Sequence, residues 1–157
     1  MSDTDASFLQ LSVDIAAQSV SQRGGPFGAV IVKNNKIIGR GNNQVTLTND
    51  PTAHAEIMAI RDACNNLKDF SLEDCTLYTS CEPCPMCMSA IYWARINRVV
   101  FASTEKDAAD AGFDDAFIAR ELCNPYEQRS IKVEHLNCYD HDKCFIEWNR
   151  KQNKIEY

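Results

Sequence analysis

Four side chains in two short segments could do chemistry together. His54 and Glu56 lie in the run Asp50-Pro51-Thr52-Ala53-His54-Ala55-Glu56, and Cys84 and Cys87 in Pro83-Cys84-Pro85-Met86-Cys87. One imidazole and two thiolates make a three-ligand site for a zinc ion. Three protein ligands leave a fourth corner open to water, whereas a structural zinc is usually closed by four. Glu56 is then free to carry protons, so the arrangement is catalytic in form.

The spacings say what must hold these groups. Cys84 and Cys87 are three apart and share one helix face, so both sulfurs can reach one ion. Pro83 and Pro85 suit a first turn, where a missing N–H costs nothing. This puts the cysteines at a helix N-terminus, whose positive end favours thiolate. His54 and Glu56 are two apart, roughly 200° around a helix, and can converge only at its opening turn. Asp50 as N-cap and Pro51 at the first helical position would supply that start. The metal is then expected between two helix N-termini.

Two other readings of the cluster are weaker. Cys81, Cys84 and Cys87 form a C-x-x-C-x-x-C run, and Cys81 could close a structural zinc, but that leaves Glu56 without a part. An iron–sulfur cluster would want a further cysteine four positions after Cys87, where Ile91 stands.

The totals bound the answer. The chain has 157 residues, 45% hydrophobic and 24% charged, which fits one soluble globular domain spanning 1–157. A net charge of −6 opposes phosphate backbones and anionic membranes, so neither nucleic acid nor a membrane is expected as partner. Met1-Ser2-Asp3-Thr4-Asp5 has no cationic-then-apolar signal, and no stretch approaches the ~20 apolar residues of a membrane span. A cytoplasmic location is therefore expected, and the eight cysteines are expected reduced. Cys64, Cys75, Cys123, Cys138 and Cys144 are scattered and read as small buried hydrophobes without assigned roles.

In chain order, Phe8, Leu11, Ile15 and Val20 recur at helical spacing up to Gly24-Gly25-Pro26. Phe27 to Lys33 and Lys36 to Arg40 read as a hairpin turning at Asn34-Asn35. Gly41-Asn42-Asn43 opens a polar loop in which turn chemistry explains both asparagines. The His54 helix runs to about Asn65. Cys75 to Ser80 is a strand, the cysteine helix runs to about Ala94, and Arg98 to Ala102 is a strand. That order predicts a parallel pair with helices on the sheet faces. Ser103 to Gly112 reads as a polar loop able to cover a site. Asp114 to Leu122 reads as a helix begun by capping acids, Ile131-Lys132-Val133 as a last strand, and Asp140 to Lys151 as a final helix. Tyr92 and Trp93 are most simply core residues of the cysteine helix.

H-x-E joined to P-C-x-x-C is the signature of zinc-dependent nucleobase deaminases. With Leu77 to Cys87 beside Asp50 to Glu56, the chain resembles the cytidine-deaminase-like superfamily. Ala90 to Arg95, Asp107 to Asp115 and the terminal Tyr157 extend the likeness to its small bacterial-type guanine deaminases. The resemblance implies a three-layer α/β/α sandwich with a five-stranded mixed sheet, one zinc, and hydrolysis of guanine to xanthine and ammonia. It also implies a homodimer that exchanges its C-terminal segment, about 138–157. Carried over by position, His54, Cys84 and Cys87 correspond to the ligands and Glu56 to the proton shuttle. Asn43, Asp115 and Tyr157 correspond to groups holding a purine base, with Phe27 lining the pocket and Asp115 assisting the second proton transfer. None of those four follows from spacing; Tyr157 on its own would be an ordinary chain end.

Rival functions are deamination of guanosine, of cytosine or of adenosine in transfer RNA, and a zinc-stabilised binding module without catalysis. Transfer RNA would want a basic face, and only Arg150, Lys151 and Lys154 cluster. The intact His54, Glu56, Cys84 and Cys87 argue against a module that has lost catalysis.

Overall fold

The two asparagines at the tip of the first hairpin both take positive φ (Asn34 51°, Asn35 60°), the backbone that a tight two-residue turn with the native strand twist requires. They join β1 (Gly28–Lys33) to β2 (Lys36–Asn42), with Lys33 opposite Lys36. β3 (Cys75–Cys81) pairs antiparallel with β1, and β4 (Arg98–Ser103) pairs parallel with β3, giving the order β2-β1-β3-β4. This computed structural model describes residues 3–157. The helices are α1 (Asp3–Ser21), α2 (Val45–Thr48), α3 (Ala55–Leu67), α4 (Pro85–Trp93), α5 (Glu105–Asp110), α6 (Ala116–Cys123) and α7 (Lys143–Arg150). None of the described helices is long and apolar enough to cross a membrane.

Strand alternation sorts the core into two faces. Ala29, Ile31 and Leu77 point to the side covered by α3 and α4, where Ala55, Ala59, Ala63 and Ile91 pack on them. Val30, Val32 and Tyr78 point the other way, onto Phe8, Leu11 and Ile15 of α1. Fully burying side chains such as Ile31, Leu72 and Leu77 contributes ~1.5–3 kcal/mol each. A polar tie closes the α1 side: Arg98 donates through both terminal nitrogens to Asp5 (2.8 and 2.9 Å), and the Tyr78 hydroxyl donates to the same carboxylate at 2.6 Å.

α3 lies on β2 without intervening side chains. A Cβ on Gly39 would stand 2.5 Å from the Ala59 carbonyl oxygen, and one on Gly41 would run into the Ala55 carbonyl oxygen and the Ala59 amide. Only bare backbone allows this approach, and it seats the helix that begins at the His54 motif.

The chain forms two compact units, one ending at Ile118 and one comprising Ala119–Tyr157. Within the second, Arg129 donates to the Asn124 and Leu122 carbonyls, and Glu121 accepts from the Ser130 backbone and hydroxyl.

Several expectations need correction. Among the described residues the sheet has four strands, not five: Ile131-Lys132-Val133 is irregular, and Ile131 is 75% exposed. A run that short has no ladder neighbour to hold it extended. Asp50 does not cap the motif helix. Its Oδ1 accepts from the Thr52 N–H (2.8 Å) and hydroxyl (2.7 Å), closing a turn, and the helix starts later, with His54 as N-cap. The expected loop after β4 contains α5, begun by a Thr104–Asp107 capping box. Tyr92 and Trp93 are not core: they stand 76% and 66% exposed, because α4 turns only Cys87, Ile91 and the adjoining Ala94 inward. Of the cysteines read as buried, Cys75 is; Cys64 is half-buried, and Cys123, Cys138 and Cys144 are exposed.

Candidate metal centre

Each ligand segment places its groups by the same device. His54 is the N-cap of α3, with extended backbone (φ −70°, ψ 157°), and Glu56 sits in that helix's first turn. Cys84 is the N-cap of α4 (φ −63°, ψ 167°), Pro85 opens the helix, and Cys87 lies in its first turn. Neither N-cap uses its side chain to cap the helix, so imidazole and thiol are free to face the site. The N–H groups and dipoles of both helix starts make the region favourable to anions.

The ligand atoms of His54, Cys84 and Cys87 all lie within 4.8 Å of one another, and His54 Nδ1 stands 3.5 Å from Cys84 Sγ and 3.6 Å from Cys87 Sγ. Tetrahedral zinc with usual Zn–N and Zn–S bonds requires an N···S edge of about 3.6 Å. The donor set therefore fits zinc in both chemistry and dimension. The two sulfurs differ in acidity. The hydrogen bond from Cys87, with further help from His54, holds Cys84 down to about 4, while the same bond, burial and the Glu56 charge push Cys87 up. The Cys84 sulfur in turn pushes the His54 imidazolium up. A divalent ion would take the place of thiol protons.

Cys81 does not complete the set. Its thiol donates towards the Thr104 carbonyl oxygen at 3.5 Å, and burial pushes it up to about 11, so it is a neutral buried thiol. A structural site closed by Cys81 is excluded in this arrangement.

Glu56 is 6% exposed, and burial pushes its carboxyl up. Oε1 accepts from the Thr79 hydroxyl at 3.2 Å and Oε2 from the Cys87 thiol at 3.3 Å. The acid therefore faces the ligand triangle.

A cavity of about 630 Å³ opens beside it, lined by His54, Glu56 and Cys84 and also by Phe27, Asn43 and Asp115. That volume suits a small molecule. Asn43 is buried, its Oδ1 accepting from the Val45 N–H at 3.2 Å. Phe27 meets Phe113 edge to face, with ring centroids 5.0 Å apart. Asp114 and Asp115 divide the work expected of a capping pair. Asp114 accepts from the Ala116 N–H (3.1 Å), while Asp115 lines the cavity, its carboxyl pushed up by burial and by the Cys84 sulfur. Tyr157 belongs to the second unit and is 74% exposed.

The sequence reading passed over Thr79, Phe113 and Glu82. Glu82 accepts from the Glu105 N–H at 3.0 Å and ties the cysteine turn to α5. Alternation along β3 puts Thr79 on the same face as Leu77 and Cys81, a signal that could have found it. Phe113 carries no such local signal.

Comparison with known proteins agrees with this geometry. Residues 2–103 match the cytidine and deoxycytidylate deaminase zinc-binding region. The guanine deaminase of Bacillus subtilis is 52% identical over 151 residues, 96% of this chain and 97% of that protein. Its crystal structure superposes with a TM-score of 0.95 at 51% identity, over 100% of this chain and 99% of that one. A tRNA-specific adenosine deaminase from Haemophilus influenzae is 32% identical over 99% of this chain and 90% of its own length. A solved structure in complex with 2,6-diaminopurine, 30% identical, superposes with a TM-score of 0.69 over 73% of this chain and 64% of that one. The ligand triangle, the buried acid and the matched region lead to one conclusion: the chain belongs to the family defined by the cytidine and deoxycytidylate deaminase zinc-binding region.

Proposed function

We propose that this protein is a zinc-dependent guanine deaminase, converting guanine and water to xanthine and ammonia. The observation that carries the reading is the buried Glu56 carboxylate beside a three-ligand triangle at the wall of a cavity sized for a small molecule. The near full-length likeness to a guanine deaminase, and the purine analogue in a related structure, support guanine as the base.

His54, Cys84 and Cys87 would hold a zinc ion, which when bound would supply an acidified water as nucleophile near neutral pH. Glu56 Oε2 accepts the proton of the attacking water, passes it to a ring nitrogen of the base, and helps protonate the departing amine. Asp115 assists that last transfer. Asn43, with its Oδ1 already engaged, offers amide N–H donors to the base. Phe27, braced by Phe113, supplies a flat apolar wall for the ring. The lining also carries Glu82, Glu105, Asp114 and Asp115 and no lysine or arginine among the described residues, which disfavours a phosphate backbone and hence transfer RNA.

The reading includes a cytoplasmic homodimer that exchanges its C-terminal segment, about 138–157, and brings Tyr157 to the base. β4 is an edge strand with Phe101 exposed, and Tyr92 and Trp93 are exposed on α4. In the second unit Leu136, Tyr139 and Phe145 are exposed as well. Apolar surface of this kind is what a partner copy covers.

Ammonia release from guanine, guanosine, cytosine, adenine and transfer RNA, with and without a zinc chelator, tests the function. Guanine should yield equimolar xanthine and ammonia, chelation should abolish the reaction, and added zinc should restore it. Zinc-loaded protein that leaves guanine untouched would overturn the reading.

A further inference from the structure

Glu56 has to present one particular oxygen to the reacting water, yet the final torsion of a glutamate is broad and close to two-fold. Something must hold the other oxygen. In the structure Oε1 accepts from the Thr79 hydroxyl, and Oε2 accepts from the Cys87 thiol. Oε2 thus lies on the side of the ligand triangle and Oε1 on the side of β3. The Thr79 hydroxyl is the donor that holds Oε1.

Thr79 is well placed for this duty. It is 1% exposed and lies in the middle of β3, opposite Ala29 of β1 on one side and Phe101 of β4 on the other. Glu56 rides on α3, while β3 runs directly into the cysteine turn. The bond between them registers the helix carrying the acid against the strand that delivers the two thiolates. We propose that Thr79 is a positioning residue: its hydroxyl anchors Glu56 Oε1 and so reserves Oε2 for proton transfer. The inference rests on the deaminase reading above.

Thr79→Val removes the hydroxyl and nearly keeps the shape. The kcat for guanine should fall roughly 10- to 100-fold, as loss of a hydrogen bond to a charged group implies. KM, zinc content by elemental analysis and 2,6-diaminopurine affinity by calorimetry should stay within about twofold of the native protein, and Thr79→Ser should recover most of kcat. A valine variant with native kcat at full zinc content overturns the inference, as does a serine variant no better than valine, or a kcat loss that merely follows loss of zinc. Should the valine variant not fold, Thr79→Cys, a weak donor, is compared with Thr79→Ser on the same criteria. Wild-type protein inactive on guanine would strike the deaminase reading; active wild-type protein beside an unaffected valine variant would strike Thr79 alone.

Discussion

Glu56 sits where its charge is least welcome, buried beside two sulfurs, and that placement suits a group that must bind a proton in one step and release it in the next. Glu56→Gln keeps the size and loses the base. It should retain native zinc stoichiometry while turnover falls by about 10²- to 10⁴-fold, measured as xanthine absorbance beside metal analysis. Cys81→Ala should leave zinc bound, since its thiol faces the Thr104 carbonyl. His54, Glu56, Cys84 and Cys87 were legible from sequence because their geometry is local: two helix starts fix it within a few residues. Thr79 and Phe113 were not, because what they touch depends on sheet register and on a loop brought back from far along the chain.

At the level of elements, the contact between β2 and α3 decides whether the first-turn groups arrive in place. Gly41→Ala drives a methyl into the Ala55 carbonyl oxygen and the Ala59 amide. It should cost about 3 kcal/mol in denaturant unfolding and weaken zinc retention together with stability. The α1 side offers a pH signature. Burial and the hydrogen bond to Asp5 push the Tyr78 hydroxyl above its usual 10, so the folded state holds that proton more tightly than the unfolded chain. Its contribution is complete below pH ~10 and declines as pH climbs beyond that towards the folded value. Thermal unfolding between neutral and strongly alkaline pH should show this decline in the native protein and a flatter limb in Tyr78→Phe. Helices and strands with strong periodicity could be read in advance. The start of α3 could not, because Asp50 and Pro51 offer a credible cap that their own turn consumes. Nor could the missing fifth strand, since Ile131-Lys132-Val133 has the right residue types without a neighbour to pair with.

For the molecule as a whole, the proposed exchange of C-terminal segments in a dimer predicts that one catalytic site draws on two chains. A chain carrying Glu56→Gln and a chain lacking Tyr157 should each be poorly active, yet mixing them through unfolding and refolding should restore activity approaching a quarter of native, because half of the dimers are mixed and each holds one complete site. Mixtures no better than either parent would place Tyr157 in its own chain's site or outside it. The tie between Glu82 and the Glu105 N–H has a practical corollary for laboratory evolution. The wall from Ala108 to Asp114 hangs from that link and the Thr104–Asp107 box, whereas α3, which presents His54 and Glu56, is seated on glycine backbone that tolerates no added carbon. Selection for bulkier heterocycles should gather its changes in the former stretch and leave Gly39 and Gly41 untouched.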